Sequence, residues 1–165
     1  MARRSRLLDE LRQRRPFPSP ADEALVSLLR TTDVVRRHLA ATLEQSGVTP
    51  QQYNVLRILR GAGEEGLPTL EIADRMIEQT PGITRLLDRL EAKGLVRRQR
   101  CGHDRRQVLC WLTAAGGELL ADLDAPLVAR AKELFVDIEP RETATLLALL
   151  ERLRAAADGR GAADE

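Results

Sequence analysis

Residues 80–113 decide the fold, and they read TPGITRLLDRLEAKGLVRRQRCGHDRRQVLCWLT. In the first half, apolar residues recur at the spacing of one helix face, at Ile83, Leu86, Leu87 and Leu90. Thr80 and Pro81 predict the start of this helix, because threonine caps a helix and proline fits its first turn. Lys93 and Gly94 predict its end, since glycine accepts the left-handed conformation that often terminates a helix.

The second half of the same stretch predicts a β-hairpin. Two short apolar-patterned segments, at about 95–101 and 107–112, have the length of strands and flank the hexapeptide GHDRRQ at residues 102–107. The hexapeptide holds four charged or titratable side chains and a glycine, which is typical of an exposed turn. A helix-turn-helix followed by a hairpin with an arginine-rich tip is the arrangement of a winged helix-turn-helix.

Three helices are predicted ahead of this stretch. Apolar residues at helical spacing give the first at about 21–45, where Gly47 stops the run. The second begins at Thr49-Pro50, with Gln52 at the position that closes a capping box. A short third helix begins near Thr69, and the residues expected to face inward from it are Ile72, Ala73 and Met76. The GAGEEGLP segment between these two helices is predicted to be a loop.

Two helices are predicted after the hairpin. Thr113 can cap a long helix that reaches about Val136, although Pro126 is expected to kink or break it. Pro140 opens the last helix, which carries a leucine stripe at Leu146, Leu149, Leu150 and Leu153. The predicted fold class is mainly α with a small β-hairpin wing, that is, a winged helix-turn-helix with further helices at both ends.

The charge of the chain is unevenly distributed. The formal net charge of the 165 residues is +1, but residues 79–106 hold eight basic and three acidic side chains, whereas residues 117–165 hold six basic and eleven acidic ones. A basic middle points to a local site for a polyanion. The chain has no apolar run near the length of a membrane span and no signal-peptide pattern, so we expect a cytoplasmic protein.

The side chains expected to contact DNA lie on the fourth helix and on the hairpin. Arginine can bind a guanine edge with two hydrogen bonds, and threonine can meet a thymine methyl group or a phosphate. The residues predicted to enter the major groove are Gln79, Thr80, Pro81, Gly82, Thr84, Arg85, Asp88 and Arg89. The residues predicted to form the wing contacts are His103, Asp104, Arg105 and Arg106. Arg105 or Arg106 would enter the minor groove, with Asp104 holding the Arg106 guanidinium in place. Arg97 and Arg98 are predicted phosphate contacts.

These motifs resemble those of the MarR family of bacterial transcriptional regulators. The similarity covers about Val48 to Leu120 and rests on three motifs in order, namely TRLLDRLEAKGLV at residues 84–96, Asp104-Arg105-Arg106, and Leu112-Thr113. The resemblance implies a homodimer paired through its terminal helices, with two recognition helices in successive major grooves of a near-palindromic double-stranded DNA operator. It also implies a repressor that releases DNA when a small, often aromatic and anionic, effector binds.

The resemblance divides the chain into segments. It implies dimerisation helices at 21–47 and 114–157 and a DNA-binding lobe at 48–113, while the clustered prolines mark a basic arm at 1–20 and a disordered tail is predicted at 158–165. The leucine stripes agree with a dimer, because so small a domain cannot bury them alone. The candidate residues of the ligand pocket are Arg37, His38 and Tyr53, because they lie on helices that border the family's pocket.

Other functions stay open at this point. Cys101 and Cys110 flank the hairpin tip, so facing thiols could form a redox switch, and His103 could join them as a zinc ligand. A winged helix can also bind a protein instead of DNA. The 1–20 arm is either a frayed tail or a contact to DNA or a partner subunit. No nucleophile–base constellation and no phosphate loop is present, so we expect no enzyme, no cofactor and no metal.

Overall fold

The structure is a computed structural model that describes residues 5–78, 82–101 and 107–159. The chain divides into two compact units, Met1–Leu123 and Asp124–Glu165. The first unit contains α1 (Arg6–Glu10), α2 (Pro20–Glu44), α3 (Pro50–Ala62), β1 (Leu67–Pro68), α4 (Thr69–Arg75), α5 (Ile83–Ala92), β2 (Val96–Arg100) and β3 (Val108–Leu112). The helix α6 (Ala114–Leu134) begins in the first unit and ends in the second, which also contains α7 (Pro140–Ala157). No helix within these described ranges is both long and apolar enough to cross a membrane.

The helices α2 and α3 begin within about a residue of their predicted positions because their starts are capped. The Thr49 hydroxyl accepts the N–H of Gln52 at 3.2 Å, and the Gln52 side-chain oxygen accepts the N–H of Thr49 at 3.1 Å, so the predicted capping box closes in both directions. Ser19 caps α2 in a similar way by accepting the N–H of Asp22 at 3.2 Å. These bonds satisfy N–H groups that have no partner inside the helix.

The core of the first unit lies between α3, α4, α5 and the β-hairpin. Its fully buried side chains come from all of these elements and include Val55, Leu56, Leu59, Ile72, Leu87, Leu90 and Cys110. The inward face predicted for α4 is confirmed at Ile72 and Met76, which are buried, and Ala73 is half-buried. Because the stripe of α5 is buried in this core, the opposite face of that helix is turned to solvent.

The start of α5 differs from the prediction. Thr80 and Pro81 lie outside the described residues, and the helix begins at Ile83 with Gly82 as the residue before it. Gly82 has φ +99° and ψ +34°, a left-handed conformation that glycine adopts without strain. The chain therefore turns into α5 through Gly82, whose role here is to supply the left-handed backbone conformation of that turn. The predicted end is confirmed, since α5 stops at Ala92 and Gly94 has φ +70°.

The predicted hairpin is confirmed, and a third strand joins it. The sheet is antiparallel with the order β1-β3-β2, and Val96 pairs with Leu112 while Arg100 pairs with Val108. The two-residue strand β1 lies in the segment GAGEEGLP, for which the sequence predicts a loop. The prediction missed this strand because two residues are too few to show a periodicity. Pro68 fits there, since an edge strand tolerates a residue without an N–H group. The predicted class, mainly α with a small wing, is confirmed.

The helix α6 starts where the sequence predicts. The Thr113 hydroxyl accepts the N–H of Gly116 at 3.1 Å and donates to the Gly94 carbonyl at 2.7 Å, so one side chain joins the ends of α5 and α6. The helix continues through Pro126 without interruption, so a break at Pro126 is wrong, and the alternative, a kink, stays a prediction.

In the second unit, α7 begins at Pro140 as predicted. The leucines on its surface include Leu146, Leu147, Leu149 and Leu153, all of them exposed.

A short helix near the start of the chain was not predicted. Residues Arg6–Glu10 form α1, and its Leu7 is buried. This burial shows that residues 6–10 are packed rather than frayed.

Candidate nucleic-acid interface

The exposed face of α5 carries the side chains that were predicted to read DNA. Leu86, Leu87 and Leu90 are buried on one side of the helix. The residues exposed at the start and on the other side are Gly82, Thr84, Arg85, Asp88 and Arg89. The structure therefore brings these five together on one surface. The other predicted residues of this set, Gln79, Thr80 and Pro81, lie outside the described residues.

Arg98 of β2 binds two carboxylates of α5. Its guanidinium donates to Glu91 at 2.9 and 2.6 Å and to Asp88 at 2.6 Å, while the Arg98 backbone N–H donates to Glu91 at 3.1 Å. The hydrogen bond to Glu91 is the main reason that the pKa of Arg98 is raised. Two guanidinium N–H groups share one Glu91 oxygen while the other Glu91 oxygen accepts the backbone N–H, and charge-assisted hydrogen bonds of this kind fix geometry as well as charge. The base of the hairpin is therefore fastened to α5, a contact that the sequence did not predict for either Arg98 or Asp88.

This bridge also changes the electrostatics of the segment. Residues 82–101 contain six basic and two acidic side chains, and both of the acidic ones are bound by Arg98. Pairing with the guanidinium offsets the negative charge of Asp88 on the exposed face of α5. Arg85, Arg89, Arg97 and Arg100 are all exposed in the same segment. The surface thus keeps a positive balance suited to a polyanion.

Arg97 lies on the opposite face of β2 and packs on the indole of Trp111. The guanidinium carbon is 4.0 Å from the ring centroid, and the two residues are partners in the β2–β3 ladder. The indole N–H donates to the Glu64 carbonyl at 3.0 Å, and a side chain at Gly66 would collide with the ring. Arg97 is thus an exposed cation with a defined resting position, and its phosphate contact stays a prediction.

The tip of the hairpin is bounded by a backbone bond from the Cys101 N–H to the Gln107 carbonyl at 2.9 Å. His103, Asp104, Arg105 and Arg106, the predicted wing contacts, all lie outside the described residues.

The two cysteines do not face each other, so the hypothesis that facing thiols of Cys101 and Cys110 form a redox switch is wrong. Cys110 pairs with Arg98 in the ladder, whereas Cys101 is opposite Gln107. The two thiols are three positions apart, roughly 10 Å along the hairpin, and side chains an odd number of positions apart point to opposite faces. A disulfide needs Cα atoms within about 7 Å. Burial raises the pKa of the Cys110 thiol, which keeps it protonated and unreactive.

The zinc alternative finds no support in the residues that the structure describes. Among them, no three histidine, cysteine, aspartate or glutamate side chains are grouped so that they could hold a metal ion.

A cavity of about 220 Å³ lies in the first unit between α2, the start of α3 and the segment after α4. The residues that line it include Arg36, Leu39, Tyr53, Asn54, Arg57 and Glu78. Of the three predicted pocket residues, Tyr53 lines this cavity. The Arg37 guanidinium pairs instead with Asp33 at 2.9 Å, and His38 is not among the lining residues. Arg36, the residue before Arg37, lines this cavity and binds Glu78 at 3.1 Å. The i, i+3 spacing of Arg36 and Leu39 was the available signal, since both fall on one helix face.

Comparisons with known proteins agree with this geometry. The sequence profile described as MarR family matches residues 46–107. A MarR transcription factor from Planctomyces limnophilus, known from a crystal structure, is 40% identical, with a TM-score of 0.65, over 82% of this chain and 98% of that one. Sco3205, a MarR family transcriptional regulator from Streptomyces coelicolor solved in complex with DNA, is 24% identical, with a TM-score of 0.74, over 87% of this chain and 92% of that one. The HTH-type transcriptional regulator MhqR from Bacillus subtilis (strain 168) is 26% identical over 78% of this chain and 87% of the relative.

Proposed function

The chain belongs to the MarR family of transcriptional regulators, and on that premise we propose that it binds a near-palindromic DNA operator as a homodimer and represses transcription until a small effector binds. Regulation of transcription is the function of the family and its relatives, so the chain is not an enzyme. The observation that carries the proposal is the exposed polar face of α5 beside a basic hairpin. The DNA complex of Sco3205, a protein with the same fold, supports it.

The recognition helix α5 enters the major groove in this proposal. Arg85 and Thr84 stand near its N-terminal end and are exposed, and Arg85 can bind a guanine edge with two hydrogen bonds. Arg89 stands one turn further along, where it can contact a base or a phosphate. The hairpin tip enters the adjacent minor groove, where an arginine meets the strongest negative potential.

Dimerisation explains the apolar residues left at the surface. Leu25 and Leu29 of α2 are more than half exposed, and so are Leu147 and Leu149 of α7. Exposed leucines of this kind mark an interface, and pairing with a second copy would bury them. A two-fold dimer would place two copies of α5 about 34 Å apart, one turn of the duplex, which is why we expect a near-palindromic operator.

The cavity beside α2 is the proposed effector site. Two guanidinium groups, Arg36 and Arg57, stand at its wall together with the Tyr53 ring, and the Arg57 guanidinium carbon is 5.9 Å from the ring centroid. A small anion with an apolar body matches this lining, because its charge can meet arginine while its body packs against Tyr53 and Leu39. Such an anion would compete with Glu78 for Arg36, and Glu78 stands just ahead of the turn into α5.

Salt dependence of binding tests the proposed function. A duplex selected from a randomised pool by the unmodified chain, and a scrambled duplex of equal composition, would be titrated across a range of salt concentrations. We expect affinity for the selected duplex to fall by about 10³-fold between roughly 50 and 200 mM salt, through counterion release. Failure to select any duplex, or binding without salt dependence, would favour a protein-binding winged helix instead.

A further inference from the structure

Lys93 connects the carboxyl end of the recognition helix to the corner between α2 and α3. It is the C-cap residue of α5, and its ammonium group donates to the backbone carbonyl of Gly47, 46 positions earlier in the chain. The same ammonium lies 3.4 Å from the side-chain oxygen of Gln52. One flexible cation therefore contacts the turn that ends α2 and the first turn of α3.

Gln52 is an unusual partner for a surface lysine because it is buried. Its exposed fraction is 4%, and among residues 5–78, 82–101 and 107–159 it is the single polar side chain in the buried class. Its oxygen already accepts the Thr49 N–H that closes the capping box of α3. Since an amide oxygen has two lone pairs, Lys93 can occupy the second without displacing the first. The lysine thus completes the hydrogen bonding of a buried oxygen.

The Gly47 carbonyl is held at a fixed place. Gly47 has φ +69°, and its N–H donates to Glu44 while the N–H of Val48 donates to Leu43, which closes the end of α2. Leu43 and Val48 are both buried beside this turn. A packed corner offers a rigid acceptor, and a hydrogen bond from a charged donor to it constrains the donor's helix.

We propose that Lys93 is a positioning residue for base reading, which sets the place of α5 relative to α2. The inference rests on the proposed function, in which α2 belongs to the dimer and α5 reads the operator. Reading two half-sites requires one fixed separation of the two copies of α5, and Lys93 is the cation that links each copy to the α2–α3 corner. Binding to arbitrary DNA depends on charge rather than on this separation, so Lys93 matters for the selected sequence alone.

The test compares Lys93→Met with Lys93→Arg and Lys132→Met. Methionine keeps the aliphatic stem but not the donors, arginine restores a cationic donor, and Lys132 is the other lysine of the chain, exposed at the end of α6 and outside the proposed DNA contacts. With the selected and scrambled duplexes as probes, we expect Lys93→Met to lower affinity for the selected duplex about tenfold, as for loss of a charged hydrogen bond. Affinity for the scrambled duplex and the slope of affinity against salt should not change. Lys93→Arg should restore most of the loss, and Lys132→Met should bind like the unmodified chain.

Three results would overturn the inference. Equal loss on both duplexes with a salt slope reduced by about one would make Lys93 a phosphate contact. Unchanged binding by Lys93→Met, or no rescue by Lys93→Arg, would exclude a positioning role. Circular dichroism establishes that each variant is folded, and if Lys93→Met is not, Lys93→Gln takes its place in the same comparison. Failure of the unmodified chain to select any duplex would instead contradict the proposed function itself.

Discussion

Arg98 and Asp88 lie ten positions apart in the sequence, and their charged groups are 2.6 Å apart in the structure. Together with Glu91 they join the hairpin to the recognition helix. Because the Arg98 side chain is only 20% exposed, water screens this bridge less than it screens a pair on an open surface. The bridge lies between the two elements proposed to enter adjacent grooves and links them directly.

Removing the bridge should destabilise the fold. Arg98→Met is expected to lower the free energy of unfolding by about 1–2 kcal/mol, since it removes several charged hydrogen bonds that are partly shielded from water. Double-mutant cycles with Glu91→Gln and Asp88→Asn, measured by urea unfolding, should give the larger coupling to Glu91, the less exposed carboxylate. Arg100→Met, an exposed position on the same strand, is the control and should change stability by less than about 0.5 kcal/mol. If neither cycle gave a coupling energy, the bridge would not contribute to the free energy of unfolding.

Two adjacent glycines of α6 should respond in opposite directions to alanine. A methyl group at Gly116 would collide with the Leu95 carbonyl and come within 2.7 Å of the Leu112 side chain, so we expect a loss of about 1–3 kcal/mol. A methyl group at Gly117 meets no heavy atom of the described residues within 4 Å, apart from its own helix and neighbours. Gly117→Ala should therefore stabilise the chain by roughly 0.5–1 kcal/mol through helix propensity. Thermal unfolding of both variants is the measurement, and equal effects would contradict the close approach of Gly116 to Leu95 and Leu112.

Arg85 is expected to read a base. Arg85→Ala should cost about 1–3 kcal/mol of binding free energy on the selected duplex and relax the preference at one base position in each half-site. Repeating the selection with the variant measures that preference. Arg141→Ala removes one exposed arginine from α7 and serves as the charge control. If Arg85→Ala weakens all duplexes equally, Arg85 contacts a phosphate and not a base.

The wing prediction concerns residues outside the described part of the chain. Asp104→Ala removes an acid beside a polyanion, which by charge alone should strengthen binding. If Asp104 instead holds the Arg106 guanidinium, its loss should weaken binding, and this is the outcome that we expect. Arg106→Ala should weaken binding most on operators with A·T-rich flanks, because narrow minor grooves concentrate negative potential. Titration at one salt concentration separates the two signs, and tighter binding by Asp104→Ala would reduce Asp104 to a turn residue.

The exposed leucines of α7 should hold two copies together. Leu149→Glu combined with Leu153→Glu is expected to produce monomers and to weaken operator binding strongly, because burying two carboxylates in an apolar interface is unfavourable. Ala148→Glu places a single carboxylate on the other side of the helix and should leave the dimer intact. Analytical ultracentrifugation gives the oligomeric state. A monomer that binds the selected duplex at full strength would contradict the dimer.

Local signals explain which features could be predicted from the sequence. The capping box of Thr49 and Gln52, the apolar stripe of α5 and the two strands of the hairpin are each encoded within a few residues, and each is confirmed. The exposed polar face of α5 followed directly from its stripe, because burial of one side of a helix exposes the other.

The features that were missed depend on contacts between distant segments. Whether the Arg98 side chain is directed to a phosphate or to Glu91 depends on how β2 packs against α5. No local sequence pattern predicts that packing. The ladder register separates Cys101 from Cys110, and register is set by the whole hairpin. The choice between Arg36 and Arg37 at the cavity depends on the rotation of α2 against α3. The start of α5 was misplaced because a glycine in the left-handed region took the role expected of a threonine cap.

Trp111, on which Arg97 stacks, is an intrinsic fluorophore at the base of the hairpin. Trp111 is the single tryptophan of the chain, so all of the indole emission comes from the base of the hairpin. The guanidinium carbon of Arg97 lies 4.0 Å from the ring centroid, so drawing Arg97 toward a phosphate should change the environment of the indole. If Arg97 makes the predicted phosphate contact, DNA binding should change the fluorescence of Trp111, which can be measured in solution without an attached dye.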